Sequence, residues 1–309
     1  MNLRLFSIQQ ALRVYKLIGQ QVFDKPLLAR KAFETLATYL PQYDKRCGYI
    51  AFTIGEMEAE WIKPNGADAD KVLLFCHGGG YATGSLNTHR ALATQLAVHA
   101  NIKTVAIEYS LAPEAKFPKQ IHQFAQAYQY LLEKGYKAEN IACAGESAGA
   151  GLITGGLLYL KDQGVEMPNC ALLLSPWLDL TISMKSHFSN EDKDPMIPTK
   201  GLSVWSENYA PGNKSHPYVS PIFGDLKGLC PMYIQVGDSE VLMDDSVHFA
   251  ALAKKAGVEI KLEVWRDMFH AWQGFWMILP EGKAANIKLS KYLKEKMKIA
   301  ETYKAKLIK

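Results

Sequence analysis

Ser147 lies in Gly145-Glu146-Ser147-Ala148-Gly149, where an apolar run from Ile141 ends in Gly-x-Ser-x-Gly and passes at once into Gly151-Leu152-Ile153-Thr154. A strand, a sharp turn carrying a serine and a helix, in that order, leave the hydroxyl exposed at the strand's end. The flanking glycines relieve crowding in a strained turn. The helix that follows aims free amides at negative charge developing beside the serine. The chemistry this suits is nucleophilic acyl transfer. The same pentapeptide also occurs in loops that merely pack tightly, so the chain must also supply a base, an acid and an oxyanion site.

His77-Gly78-Gly79-Gly80-Tyr81 follows directly on the run Val72 to Cys76. Three consecutive glycines let backbone amides turn toward one point. Donors fixed at a tetrahedral oxyanion are worth about 3–4 kcal/mol each, and the amides of Gly78, Gly79 and Ala148 are expected to form that hole. No Gly-Lys-Ser/Thr follows, which speaks against a phosphate cradle. His77 stands before the glycines and is expected to brace the loop rather than act as the base.

Of the eight histidines, His270 lies in Arg266-Asp267-Met268-Phe269-His270, just past the strand-like run Ile260 to Trp265. Loops at the C-terminal ends of strands deliver side chains to the mouth of an α/β sheet, so His270 is the expected base. An acid must hold its tautomer. Gly237 to Asp245 offers four carboxylates. Asp244 and Asp245 stand where a helix cap is wanted, and Asp238 adjoins Gly237 as turn chemistry would have it. Glu240 has no such duty and is the expected acid, with Asp238 and Asp244 as alternatives. The order Ser147, Glu240, His270 is the order of nucleophile, acid and base in α/β hydrolases.

These groups need a frame. Apolar residues at helical spacing from Leu3 to Tyr39, broken at Asp24-Lys25-Pro26, predict a helical pair. It would cover the core and could stand above the site. From Tyr49 the period shortens: Tyr49 to Ile54 and Met57 to Ile62 read as a hairpin. Strands at Val72 to Cys76, Thr104 to Tyr109, Ile141 to Ala144, Ala171 to Leu174, Met232 to Val236 and Ile260 to Trp265 then alternate with helical stretches at 88–100, 118–134, after Ser147, 246–256 and 284–303. Strands alternating with helices imply an α/β fold: a mostly parallel eight-stranded sheet covered on both faces. Between Asp179 and Pro221 the pattern lapses, and an insertion of that length in a compact domain is usually functional.

Bulk properties set the outer limits. A chain of 309 residues, 21% charged, suits one large α/β domain. A net charge of +4, with dispersed lysines, does not make a nucleic-acid surface. Five scattered cysteines without CxxC pairing read as reduced thiols in a cytoplasmic protein, not a metal site or a disulfide frame. Arg4, Arg13 and Lys16 interrupt any signal-peptide core. No run approaches the roughly 18 apolar residues of a membrane span.

Together, His77-Gly78-Gly79-Gly80, Tyr109-Ser110-Leu111-Ala112-Pro113-Glu114, Gly145-Glu146-Ser147-Ala148-Gly149 and Ser175-Pro176-Trp177-Leu178-Asp179-Leu180 resemble the hormone-sensitive-lipase-like esterases of the α/β-hydrolase superfamily. The resemblance runs from about Lys71 to His270. It implies an α/β-hydrolase fold with a helical cap, which residues 1–48 and the insertion at 180–220 would supply around a catalytic domain of residues 49–309. It also implies cofactor-free hydrolysis of short to medium acyl esters, a small-molecule ester as partner, and the homodimers common in that family. Two departures stand out: Glu240 where an aspartate is common, and Ser110 where an arginine is common. Tyr81, Trp205, Tyr209, Trp272 and Phe275 are candidates to line the substrate pocket. Lactone or amide hydrolysis on the same groups, and a binding protein without chemistry, are the alternatives.

Overall fold

The computed structural model describes residues 3–19, 25–39 and 41–299. Two helices, α1 (Leu3–Gly19) and α2 (Pro26–Ala37), precede the strands β1 (Cys47–Ile54), β2 (Met57–Pro64) and β3 (Asp68–Cys76). Then come α3 (Leu86–Ala100), β4 (Ile102–Ile107), α4 (Lys119–Glu133), β5 (Ile141–Glu146), α5 (Ala148–Asp162) and β6 (Cys170–Leu174). The insertion carries α6 (Ser186–Ser189) and α7 (Thr199–Tyr209); β7 (Met232–Gly237), α8 (Met243–Lys255), β8 (Ile260–Trp265) and α9 (Pro280–Met297) follow. All eight expected strands are present.

Several ends differ from the sequence expectation, for local reasons. α3 starts two residues early because Ser85 caps it, its hydroxyl accepting from Thr88 N while the Thr88 hydroxyl accepts from Ser85 N. β4 stops at Ile107 because Glu108 turns to accept the Leu86 amide at 2.6 Å. α9 opens at Pro280, whose missing N–H is no loss in a first turn. It closes at Met297, where Lys298 turns left-handed; residues 300–303 of the expected helix, like Asp24 of the expected break, lie outside the described residues. β1 begins at Cys47, so the sheet reaches slightly into the segment expected to be wholly cap.

The strand order is β1-β2-β4-β3-β5-β6-β7-β8, antiparallel across β1-β2-β4 and parallel from β4 to β8. Alternation along the central strands builds two apolar layers. Val72, Leu74, Cys76, Ile141, Cys143, Ala171 and Leu173 face one, packed with α4, α5 and α8. Leu73, Phe75, Ala142, Ala144, Leu172 and Leu174 face the other, against α3 and α9. Each wholly buried leucine, isoleucine or phenylalanine adds roughly 1.5–3 kcal/mol. This double-sided burial explains why these strands read as continuous apolar runs.

The chain leaves β3 for β4 on one side and returns across it to β5 on the other, so the direction of winding reverses between β3 and β5. A crevice opens at the strand ends there. The register Cys76↔Gly145 brings the two strands to their ends within one residue of the same level. His77 and Ser147 follow within two residues of these ends.

The segments around this rim are tied by buried polar contacts. Asp245 Oδ2 accepts from the amides of Leu178 and Asp179 at 2.9 Å, and its Oδ1 meets His187 Nε2 at 2.6 Å. Both side chains are fully buried. Lys16 of α1 donates to the carbonyls of Glu191 and Asp194 at 2.6 and 2.9 Å. Arg30 of α2 reaches the carbonyls of Ala82 and Ala112 and grips Glu114 through two nitrogens. Replacing Asp245 with alanine strands two amides and an imidazole in the core. Removing one partner of such a buried set costs about 3–5 kcal/mol. Urea denaturation of Asp245→Ala is expected to show that loss of stability, and an unshifted midpoint would show the contacts to be inert.

Candidate active site

Ser147 sits at φ +53°, ψ −121°, a conformation L side chains rarely adopt. The surroundings over-determine it. Its amide donates to Leu174 O at 2.8 Å, and its carbonyl accepts from Ala150 and Gly151 at 3.1 Å and from Trp177 at 3.2 Å. A Cβ at Gly149 would fall 2.3 Å from the carbonyl oxygens of both Cys76 and His77. Only a glycine lets the start of α5 lie directly on the end of β3.

The glycine loop runs beside this turn. His77 is buried, stacks on Tyr109 with ring centroids 4.2 Å apart, and places Nδ1 2.8 Å from Gly78 O. Tyr109 donates its hydroxyl to His77 O at 2.8 Å. Burial, reinforced by the neighbouring His89, holds His77 neutral, its pKa down to about 3. These contacts brace a loop, and the ring stays neutral. The amides of Gly79 and Ala148 have no acceptor among the described residues, whereas Gly78 N lies 3.2 Å from His89 Nε2.

Loops after β7 and β8 meet across the rim because Gly237 pairs with Trp265. Glu240 is fully buried and its Oε2 lies 2.9 Å from His270 Nδ1. Its Oε1 accepts from Gly237 N at 2.6 Å and from the Ser175 hydroxyl at 2.8 Å. Ser175 Oγ in turn accepts from Ala271 N at 3.1 Å. The other three carboxylates are engaged elsewhere. Asp238 accepts from Asp267 N, Asp244 from Ser186 N, and Asp245 belongs to the His187 cluster. Glu240 is thus the member of the four that touches His270.

The second nitrogen of His270 makes a contact the sequence did not foretell. Nε2 lies 3.2 Å from Glu146 Oε1 and makes no hydrogen bond to Ser147 Oγ in this state. Burial disfavours a charged imidazole, but hydrogen bonds with Glu146 and Glu240 outweigh it and hold the pKa of His270 well above the usual 6.5.

The aromatic candidates divide. Tyr81 and Tyr209 stack face to face, centroids 3.8 Å apart, both buried beside the glycine loop. Trp205 on α7 presses its ring onto Gly80. Trp272 and Phe275 are gathered into a separate apolar cluster with Leu5, Met268, Phe269, Leu279 and Ala285. Sequence reasoning passed over His89, Glu146, Ser175 and Arg30. Glu146 stood inside the serine motif and Ser175 opened a recognised one, so each had a signal; His89 and Arg30 are surrounded by ordinary helix sequence.

An eight-stranded, mostly parallel sheet with a serine on the turn after β5 and a histidine beyond β8 is the architecture of an α/β hydrolase. Residues 73–274 match the family described as alpha/beta hydrolase fold, about two-thirds of the chain, and the chain belongs to that family. Within it, the chain falls among the hormone-sensitive-lipase-like esterases. It is 40% identical over 234 residues to an acetyl-hydrolase of Streptomyces hygroscopicus, covering 75% of this chain and 78% of that one. It is 38% identical over 224 residues to an esterase of Acinetobacter venetianus, covering 71% and 73%. A crystal structure of an esterase from the bacterial hormone-sensitive lipase family superposes with a TM-score of 0.89 at 34% identity, covering 96% of this chain and 99% of that one.

A base must be neutral to accept a proton, and a raised pKa delays neutrality. The ascending limb of kcat/KM, which reports the free enzyme, is therefore expected to lie above pH 6.5, with activity still rising on the alkaline side of neutrality. A pH profile with a chromogenic ester checks this; a limb centred below 6.5 would contradict it.

Proposed function

We propose that this carboxylic-ester hydrolase works through an acyl-enzyme on Ser147, with His270 as base and Glu240 holding the imidazole. In the first step Ser147 Oγ bonds to the ester carbonyl carbon, its proton passes to His270 Nε2, and the carbonyl π pair moves onto oxygen. That oxyanion is received by the amides of Gly78, Gly79 and Ala148. The pair returns, the C–O bond to the alcohol breaks, and His270 gives its proton to the leaving alkoxide. Water then repeats the sequence on the acyl-enzyme and releases the acid.

One observation carries this reading. A serine held in a strained turn at the head of α5, with an unpartnered amide next to it at Ala148, shares its rim with an imidazole bonded 2.9 Å from a buried carboxylate. For the imidazole to act, Nε2 must turn from Glu146 to face Oγ.

The substrate reading is short acyl chains. Trp205 against Gly80 and the Tyr81–Tyr209 stack leave little room beyond the glycine loop. A relative is named an acetyl-hydrolase, and a structure 33% identical with a TM-score of 0.88 was soaked with p-nitrophenyl butyrate. We assign α1, α2 and the insertion at 180–220 to a cap, supported by the anchoring of Lys16 and Arg30 on rim segments. Five unpaired cysteines support a cytoplasmic location. No described helix is long and apolar enough to cross a membrane.

Ser147→Ala is expected to abolish hydrolysis of p-nitrophenyl acetate and labelling by a fluorophosphonate while its circular dichroism is unchanged; hydrolysis that survives would overturn the mechanism. Across a series of acyl lengths, kcat/KM is expected to fall at least roughly tenfold between butyrate and octanoate, since pocket fit discriminates at this scale. Trp205→Ala should flatten that fall. A wild-type enzyme that prefers octanoate would remove the short-chain assignment.

A further inference from the structure

Glu146 touches both the His270 side of the rim and the glycine-loop side. It is buried at 5% exposure, with Oε1 3.2 Å from His270 Nε2 and Oε2 3.0 Å from His89 Nε2. It also lies under the glycine loop: a Cβ on Gly78 would fall 1.8 Å from Oε2. The Gly78 amide lies 3.2 Å from the same His89 nitrogen.

That nitrogen faces two incompatible demands. It can accept from the Gly78 amide or donate to the Glu146 carboxylate, but not both. Leaving Oε2 of a buried carboxylate without a donor is the costlier defect, since poorly compensated charge in the interior outweighs an unpaired amide. Nε2 of His89 therefore carries the proton. Nδ1 is left to accept from the Thr88 hydroxyl 2.7 Å away, which then gives up its donation to Ser85 O at 3.0 Å. The Gly78 N–H is then left without an acceptor, which is the condition an oxyanion donor needs.

Resting on the acyl-transfer reading above, we propose that Glu146 is a positioning residue that acts on two imidazoles: it favours the charged form of His270 in the resting enzyme, and it fixes His89 in the tautomer that frees the Gly78 amide for the oxyanion. The groups facing this carboxylate are His270 beyond β8, His89 on α3, and His77 and Tyr109 from the strand ends, the last two neutral at ordinary pH. Behind them, Glu240 faces His270, and Glu108 stands 3.8 Å from His77 Nε2. Burial works to raise the pKa of Glu146, yet hydrogen bonds with His270 and His89 outweigh it and keep the carboxylate ionised through the working range.

Two measurements test this. In the wild-type enzyme, ¹⁵N shifts of the imidazoles are expected to show His89 protonated at Nε2 and unprotonated at Nδ1; the opposite tautomer overturns the proposal without any variant. In Glu146→Gln the carboxylate on Nε2 is lost, and a contacting opposite charge is worth roughly one to three pKa units. The ascending limb of kcat/KM should move to lower pH by at least about one unit, and its plateau should fall as His89 turns to accept the Gly78 amide. A purely structural role would lower the plateau and leave the limb in place, and that result refutes the assignment. Fluorophosphonate labelling of the same variant separates the two levels. Labelling that persists with an unmoved limb sinks the role of Glu146 alone, whereas wild-type enzyme that never labels sinks the acyl-enzyme beneath it.

Discussion

β3 and β5 lie side by side with Cys76 opposite Gly145, and both leave the sheet within one residue of that level. The glycine loop and the serine turn thereby start from adjacent points with no connecting structure to arrange. A slip of one residue would exchange the two faces of β5. Cys143 and Ala144 would trade apolar layers, and the turn would rise or fall by a residue relative to His77. The pairing is therefore fixed by the core, where both strands are buried on both faces, and the geometry of the rim follows from it. Gly149 completes the constraint, because α5 reaches the end of β3 only where no Cβ intervenes.

The rim concentrates charge in a place that disfavours it. Glu146, Glu240 and His270 are all nearly or wholly buried, and an ionised group moved from water to such a place is costly unless fully paired. Each is paired. Glu240 meets Gly237 N, the Ser175 hydroxyl and His270; Glu146 meets two imidazoles; His270 stands between the two carboxylates. The arrangement is stable because the groups offset one another inside a frame held by the apolar layers. It also couples the groups, since removing any one of them takes a partner from each of its neighbours.

The sheet was legible because alternation and apolar runs report burial directly, and eight strands sit where the pattern put them. The placement of Ser147, Glu240 and His270 along one rim, and the Glu240–His270 contact, were legible because each residue follows a strand's C-terminal end. What escaped notice was pairing between distant segments. His89 lies on a helix whose pattern speaks only of packing, and nothing local says that its ring turns toward β5. Asp245 reads as a helix cap from its neighbours, but the structure uses it to hold His187 and two amides of the Leu178–Asp179 turn. Trp272 and Phe275 follow His270 closely in sequence, yet a left-handed residue at Ala271 redirects the chain into an apolar cluster. Ser110 lacks the guanidinium common in its motif, and Arg30 brings one to Glu114 from a different helix.

The same contacts decide how the rim can open. Residues 186–194 are knitted to the acid loop: Asn190 donates to the carbonyls of Asp238 and Glu240, Asp194 accepts from Val241 N, and the Ser186 hydroxyl donates to Val241 O. α1 is fastened to this segment through Lys16. Lifting the segment would break several buried hydrogen bonds, each worth about 1 kcal/mol or more once a partner is stranded, and would pull on the backbone that carries Glu240. α2 is held differently. Arg30 donates to the carbonyls of Ala82 and Ala112 in part-buried hydrogen bonds, while its pair with Glu114 is half exposed, and exposed ion pairs contribute about 0–1 kcal/mol. The Glu240–His270 side of the rim is therefore held by the more deeply buried contacts, and the glycine-loop side by the more exposed ones.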